Sequence, residues 1–266
     1  MIVGLACLVP SMPERLLSES IRKFARVLSG RLLPRIPYPV LRGPLKGARF
    51  ILGSLSGEGG GASVYFDQVE RSQTAALVNV LRAGQMFFDI GANVGYYTLL
   101  GSRLVGPRGT VLAFEPVVRN LSFLHRHLML NDCGNVSVVA AACSDQSALA
   151  SFSSGSNFAT GHLETASYLR GQPDSGRWNL VLTVTVDNVA NRIGASPDVL
   201  KIDVEGAELD VLRGAEMVLA TKHPQVFLSV HSDELRRSCL DFLGRFGYEA
   251  KPLSSDDTGP TEYLLT

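Results

Sequence analysis

Carboxylates, glycines and one histidine gather where apolar runs end in this chain, and their spacing suits a nucleoside ligand. Met86-Phe87-Phe88 runs into Asp89, and Gly91-Ala92-Asn93-Val94-Gly95 then turns into helix-like sequence. A strand, a glycine turn and a helix N-terminus let backbone approach such a ligand. Glycine tolerates unusual dihedrals, and the first N–H groups point outward. About twenty residues on, Val111-Leu112-Ala113-Phe114 ends in Glu115, where a carboxylate can accept both hydroxyls of a ribose. A third run leads into Ser144-Asp145, a fourth supplies Asp203 and Glu205, and a fifth ends at His231. Ligands of open α/β sheets sit outside the carboxyl ends of the strands, where all these residues fall. Carboxylates buried there would be costly unless a donor or ligand met them, so the gathering marks a site.

The turn narrows the ligand. A dinucleotide fingerprint needs a middle glycine to admit a pyrophosphate, and here that position is Asn93. Asp89 ahead of the turn would repel a pyrophosphate but could receive an ammonium. A ligand with an adenosine and a cationic amino-acid tail fits better, and S-adenosylmethionine has that shape. Methyl transfer from a sulfonium asks mainly for positioning. A hydroxyl acceptor also needs a base, and His231, Asp203 and Glu205 are the candidates. His231 is favoured because its ordinary pKa lies near neutrality. It could instead merely cap the next helix. Asp203 and Glu205 could orient the acceptor. A metal held by these three is the lesser reading, because no spaced ligand motif supports it. Lys201 is expected to pair with a carboxylate, while His125 and His127, on the polar side of a helix, are expected to face solvent.

Strands alternating with helices must position these residues. Strands are expected over Met86–Ile90, Thr110–Glu115, Val136–Cys143, Val199–Val204 and Gln225–Val230, with a final pair near Tyr248–Leu253 and Thr261–Leu265. Helices are expected over Gln68–Leu81, Val94–Leu104, Val117–Asn131, Ala207–Ala220 and Asp233–Phe246. This pattern builds a doubly wound, mostly parallel sheet. The last two strands are joined too briefly for a crossover, so they pair antiparallel. Residues 145–186, rich in Ser, Gly and Thr, are too long for an ordinary loop and read as a partly β-structured substrate insertion.

The first 66 residues read as an appendage to a domain spanning residues 67–266. Leu17, Ile21, Phe24 and Leu28 follow helical spacing among Arg15, Arg22, Lys23 and Arg26, which makes a basic amphipathic helix. Such a helix packs on its own domain, lies on an anionic membrane surface or docks a partner. Prolines and glycines over Arg31–Gly47 read as a linker, followed by short strands at Arg49–Leu55 and Ala62–Phe66. Lysines and arginines crowd the first 49 residues and leave the rest acidic, although the whole chain is neutral. That acidity excludes general nucleic-acid binding by the main domain. Four scattered cysteines with no Cys-x-x-Cys pair suit reduced, buried thiols and a cytoplasmic setting, with peripheral membrane contact through the basic helix as the variant.

Asp89-Ile90-Gly91-Ala92-Asn93-Val94-Gly95-Tyr96-Tyr97-Thr98, Ala113-Phe114-Glu115-Pro116 and Leu200-Lys201-Ile202-Asp203-Val204-Glu205-Gly206-Ala207-Glu208 together resemble the FkbM family of S-adenosylmethionine-dependent methyltransferases. Asn131, Ala141-Ala142-Cys143-Ser144-Asp145 and Val211-Leu212-Arg213-Gly214-Ala215 follow the same pattern, and the resemblance runs roughly from Phe87 to His231. It implies the Rossmann-like class I methyltransferase fold, with seven strands of which one is antiparallel. It also implies roles. Glu115 would hold the ribose, and Asp89, Gly91, Asn93 and Gly95 would surround the methionine part, with Thr98 near its carboxylate. Ser144 and Asp145 would lie by the adenine. The implied reaction is O-methylation of a hydroxyl on a sugar, glycan or natural product. Two other readings stand beside it. One is a nicotinamide-dependent oxidoreductase or epimerase, although the chain lacks the Tyr-x-x-x-Lys pair common in those enzymes. The other is a non-catalytic cofactor-binding module in polysaccharide assembly.

Overall fold

A computed structural model of the chain describes residues 36–55, 61–154, 161–164, 178–254 and 261–266. The amphipathic helix expected within residues 14–28 lies outside them. Two compact units meet between Val69 and Glu70. In the first, β1 (Pro37–Pro39) pairs antiparallel with β2 (Arg49–Ile51), Tyr38 opposite Phe50. Part of the expected linker is therefore strand, because the prolines at 37 and 39 lack a donor but still permit edge pairing. The expected strand at Ala62–Phe66 is instead one helical turn, α1 (Ala62–Tyr65), entered through left-handed Gly61. A run this short carries no readable period.

The second unit follows the strand–helix alternation. After α2 (Arg71–Val80) come β3 (Met86–Ile90), α3 (Tyr96–Val105), β4 (Thr110–Phe114), α4 (Val118–Leu130) and β5 (Val136–Val139). The chain then forms β6 (Ala142–Cys143), β7 (Leu149–Ser154), β8 (Gly161–Glu164) and β9 (Trp178–Val184). It returns through α5 (Val186–Ile193), β10 (Val199–Ile202), α6 (Glu208–Arg213), α7 (Glu216–Lys222), β11 (Gln225–Ser229), α8 (Asp233–Gly244), β12 (Ala250–Pro252) and β13 (Glu262–Leu265). Seven strands lie in the order β12-β13-β11-β10-β3-β4-β5. The strands from β11 to β5 pair in parallel, and β13 runs antiparallel to both its neighbours. The order reverses at β3, between β4 and β10, so the switch point falls on the strand that ends in the glycine turn. Phe88, Ile90, Phe114, Leu200, Ile202 and Leu228 fill the core beneath it.

Three expectations need correction here. The run Val136–Cys143 is not one strand. The chain leaves β5 at Ala140-Ala141, and β6 joins β9 in a separate four-stranded sheet with β7 and β8. A run with no glycine or proline in it does not reveal that its pairing partner has changed. The helix expected over Ala207–Ala220 is divided into α6 and α7 at Gly214, where a Cβ would run into the carbonyl of Ser144. Helix α5 begins where the expected insertion ends and is absent from the expected helices, although Thr185 caps it by accepting from the Asn188 N–H at 3.0 Å. Among the described residues no helix is long and apolar enough to cross a membrane.

Candidate active site

The glycine turn after β3 is held by its neighbours on every side. Gly91 has φ 80°, and a Cβ there would strike the carbonyl oxygen of Asp203 at the end of β10. The N–H groups of Gly91 and Ala92 donate to the Phe114 carbonyl at 3.1 and 2.9 Å, and that of Asn93 donates to Glu115 at 2.8 Å. These three N–H groups therefore bind the turn to the end of β4. His127, expected in solvent, is fully buried behind the turn, while His125 is exposed. The His127 Nδ1–H donates to the Val94 carbonyl at 2.7 Å, and burial pushes its pKa down to about 4. A neutral ring suits a backbone acceptor there.

Glu115 is 4% exposed. Its carboxylate accepts from the N–H of Asn93 and of Val117, each at 2.8 Å, and from the Asn120 amide at 3.3 Å. Burial outweighs these donors and pushes its pKa up to about 7. Asp89 of β3 and Thr98 of α3 face each other, with the Thr98 hydroxyl donating to Asp89 Oδ2 at 2.6 Å. Burial raises the Asp89 pKa, against the pull of Lys201 and Thr98. Ser144 is nearly buried and Asp145 exposed; the hydroxyl of the first donates to the carboxylate of the second at 3.3 Å.

Lys201 pairs with carboxylates, as expected. It is 2% exposed, with Nζ 3.2 Å from Asp203, 3.9 Å from Asp89 and 4.8 Å from the Tyr97 ring centroid. Burial alone would lower its pKa, but Asp203, Asp89 and Glu70 together hold the ammonium above its ordinary value. Glu70 accepts from the Tyr97 hydroxyl and the Gln73 amide, each at 2.7 Å. The alternation of the strand carried the signal, since Lys201 points opposite to Leu200 and Ile202 within a sheet covered on both faces.

Asp203, Glu205 and His231 come together as expected. The His231 ring is about one third exposed, with Nε2 3.4 Å from Glu205 and 3.7 Å from Asp203. Its Nδ1–H donates at 2.6 Å to Glu208, the last residue of the Leu200–Glu208 motif, whose part in the site the sequence did not show. The bond to Glu208 pushes the His231 pKa up to about 8, with Glu205 and Asp203 adding to it and partial burial opposing. His231 does not cap α8, because Ser232 does so by accepting from the Leu235 N–H at 3.1 Å. Among the described residues no group of three or more His, Cys, Asp or Glu is arranged to hold a metal ion.

Two clefts meet here. The first lies at the ends of β3, β4 and β10 and is lined by Gly91, Asn93, Phe114, Glu115, Val117 and Ala142, among others. The second is lined by Glu70, Ser229, His231, Asp233, Arg236 and Glu262 among others. Asn93, Asp203 and Glu205 belong to both. Asn93 and Glu205 adopt left-handed φ values of 50° and 55°, which are uncommon away from glycine and tend to mark functional sites. Asp89, Thr98, Ser144 and Asp145 are not part of either lining.

A seven-stranded sheet with β13 reversed, and a cleft at its switch point, defines a class I methyltransferase fold. The chain belongs to the FkbM methyltransferase family, since the family model described as "Methyltransferase FkbM domain" matches residues 89–250. It is similar to the AMB antimetabolite synthetase AmbE of Pseudomonas aeruginosa, with 30% identity across 64% of this chain and 10% of that protein. It is also similar to Methyltransferase 1 of Beauveria bassiana, with 29% identity across 48% of this chain and 57% of that one. The crystal structure of Methyltransferase FkbM from Methylobacillus flagellatus shares the fold, with a TM-score of 0.52 and 16% identity across 99% of this chain and 58% of that one. The chain thus spans little more than half of one curated relative and a tenth of the other.

Proposed function

We propose that this protein transfers a methyl group from S-adenosylmethionine to a hydroxyl of a sugar, glycan or natural product. One observation carries the reading: two clefts share a wall of Asn93, Asp203 and Glu205, with a histidine on the far side. A donor in the first cleft and an acceptor in the second would meet across that wall.

The residues of the first cleft fit the donor. Phe114, Pro116, Val117, Ala141 and Ala142 offer an apolar bed for a purine. Glu115 already accepts from three donors and, with about four acceptor sites on a carboxylate, keeps about one for a ribose hydroxyl. Asn93 Oδ1 is a buried acceptor without a partner, which suits an ammonium tail. In this reading Gly91 and Gly95 shape the turn, while Asp89 and Thr98 support it from beneath. Ser144 and Asp145 follow Cys143 at the adenine end.

S-adenosylmethionine, when bound, supplies a methyl group on a sulfonium, open to in-line displacement by an oxygen. The chain positions that oxygen and removes its proton. The His231 Nε2 takes the hydroxyl proton as the oxygen becomes a nucleophile. Asp203 and Glu205, close to the same nitrogen, stabilise the resulting imidazolium. The full chain incubated with methyl-tritiated S-adenosylmethionine and pooled glycan and metabolite extracts is expected to label an acceptor. No label across broad extracts would contradict the reading.

A further inference from the structure

The loop between β10 and α6 is wound to serve one contact. Glu205 and Gly206 have φ 55° and 112°, and this left-handed pair turns the chain so that Glu208 folds back on it. Glu208 is fully buried, and its Oε1 accepts both the Gly206 N–H at 2.9 Å and the His231 Nδ1–H at 2.6 Å. The carboxylate is thereby fixed before it meets the ring. The contact spans 23 residues of sequence and joins the first turn of α6 to the end of β11. Helix capping does not account for it, because Ser232 caps α8.

A neutral imidazole carries its proton on one nitrogen, and the partner of that nitrogen decides which. We propose that Glu208 is the positioning residue of His231, fixing the tautomer whose Nε2 lone pair faces the acceptor cleft. The inference rests on His231 being the proton acceptor of the proposed reaction. With Nδ1 committed to Glu208, Nε2 is the nitrogen that faces Glu205 and Asp203. The charged groups around the ring are Glu208 from α6 and Asp203 and Glu205 from the loop before it. On α8, Asp233 is paired with Arg236 at 2.9 Å. Glu70 and Glu262 line the same cleft. Glu208 is the one of these bonded to Nδ1, so its removal should change both the tautomer and the midpoint of titration.

The test is the nitrogen NMR spectrum of the full chain labelled with ¹⁵N-histidine. With five histidines in the sequence, the His231 signals are identified by their loss in His231→Gln. In the wild type the ring is expected to titrate near 8 and, once neutral, to carry its proton on Nδ1. A neutral ring protonated on Nε2 would overturn the proposal without any variant. In Glu208→Gln the midpoint should fall toward or below the ordinary value of about 6.5, and a midpoint left near 8 would equally overturn it. Glu205→Gln should lower the midpoint less and leave the proton on Nδ1. In transfer assays Glu208→Gln should lose kcat on the order of 10²–10⁴-fold, the share a positioned base contributes, with KM unchanged. A residue serving only stability would lower the melting temperature and leave the midpoint in place. The expected tautomer together with full transfer by His231→Ala would sink the reading of His231 as base, not the contact.

Discussion

Replacing Lys201 by methionine is expected to destabilise the protein by about 3–5 kcal/mol near neutral pH, because it leaves the buried Asp89 carboxylate without its cation. Asp89 is fully buried and its Oδ1 has no hydrogen bond, so Lys201 at 3.9 Å is what meets that oxygen's charge. Asp203 would lose a contact of 3.2 Å. The loss should depend on pH in a definite direction. The Asp89 pKa is already raised by burial, so the folded state takes up its proton more readily than the unfolded chain. Stability linked to that proton is fully present below the unfolded pKa and is lost as pH rises through the raised folded one. Removing Lys201 raises that folded pKa further, so the deficit should be largest near neutrality and shrink as the solution is acidified. Urea unfolding across this range measures it. Adding Asp89→Asn should recover much of the loss, since the amide oxygen still accepts from Thr98. A Lys201→Met protein as stable as the wild type would mean that the buried charges do not need this partner.

Replacing His231 by alanine is expected to slow methyl transfer by about 10²–10⁴-fold, the usual contribution of a positioned general base. Binding in the first cleft should be untouched, because His231 belongs to the lining of the second. The base must be neutral to accept a proton. With its pKa held up near 8, the wild-type rate should fall as pH drops below that value and level off above it. His231→Ala should lack this limb. Initial rates over that range measure both, and a wild-type limb retained in the variant would assign the titration to another group.

Where strands end was legible in the sequence, because apolar runs that stop at Asp89, Glu115 and Asp203 show where the sheet meets solvent or ligand. What pairs with what was less so. The continuous run through Val136–Cys143 crosses from one sheet to another at Ala140-Ala141 with no glycine or proline to mark it. Similarly, α6 and α7 share one helical period and part at Gly214 for a tertiary reason, the approach of the Ser144 backbone. In the site, the motifs delivered Asp203, Glu205 and His231 to one place. They did not deliver the Glu208 contact, since residues 23 apart in sequence give no local sign of meeting. Nor could helical periodicity show that His127 turns inward, which depends on a free carbonyl at Val94.

The central claim is that the cleft at the switch point of the sheet holds S-adenosylmethionine, with Glu115 as its ribose partner. Calorimetric titration of the full chain with S-adenosylhomocysteine, repeated on Glu115→Ala and with NAD as a second ligand, tests this most directly. Saturable one-to-one binding of the homocysteine compound is expected, with no binding of NAD. Affinity should weaken as pH falls through about 7, where the Glu115 carboxylate takes up a proton, and should be largely lost in Glu115→Ala. Binding of NAD without binding of S-adenosylhomocysteine would contradict the account.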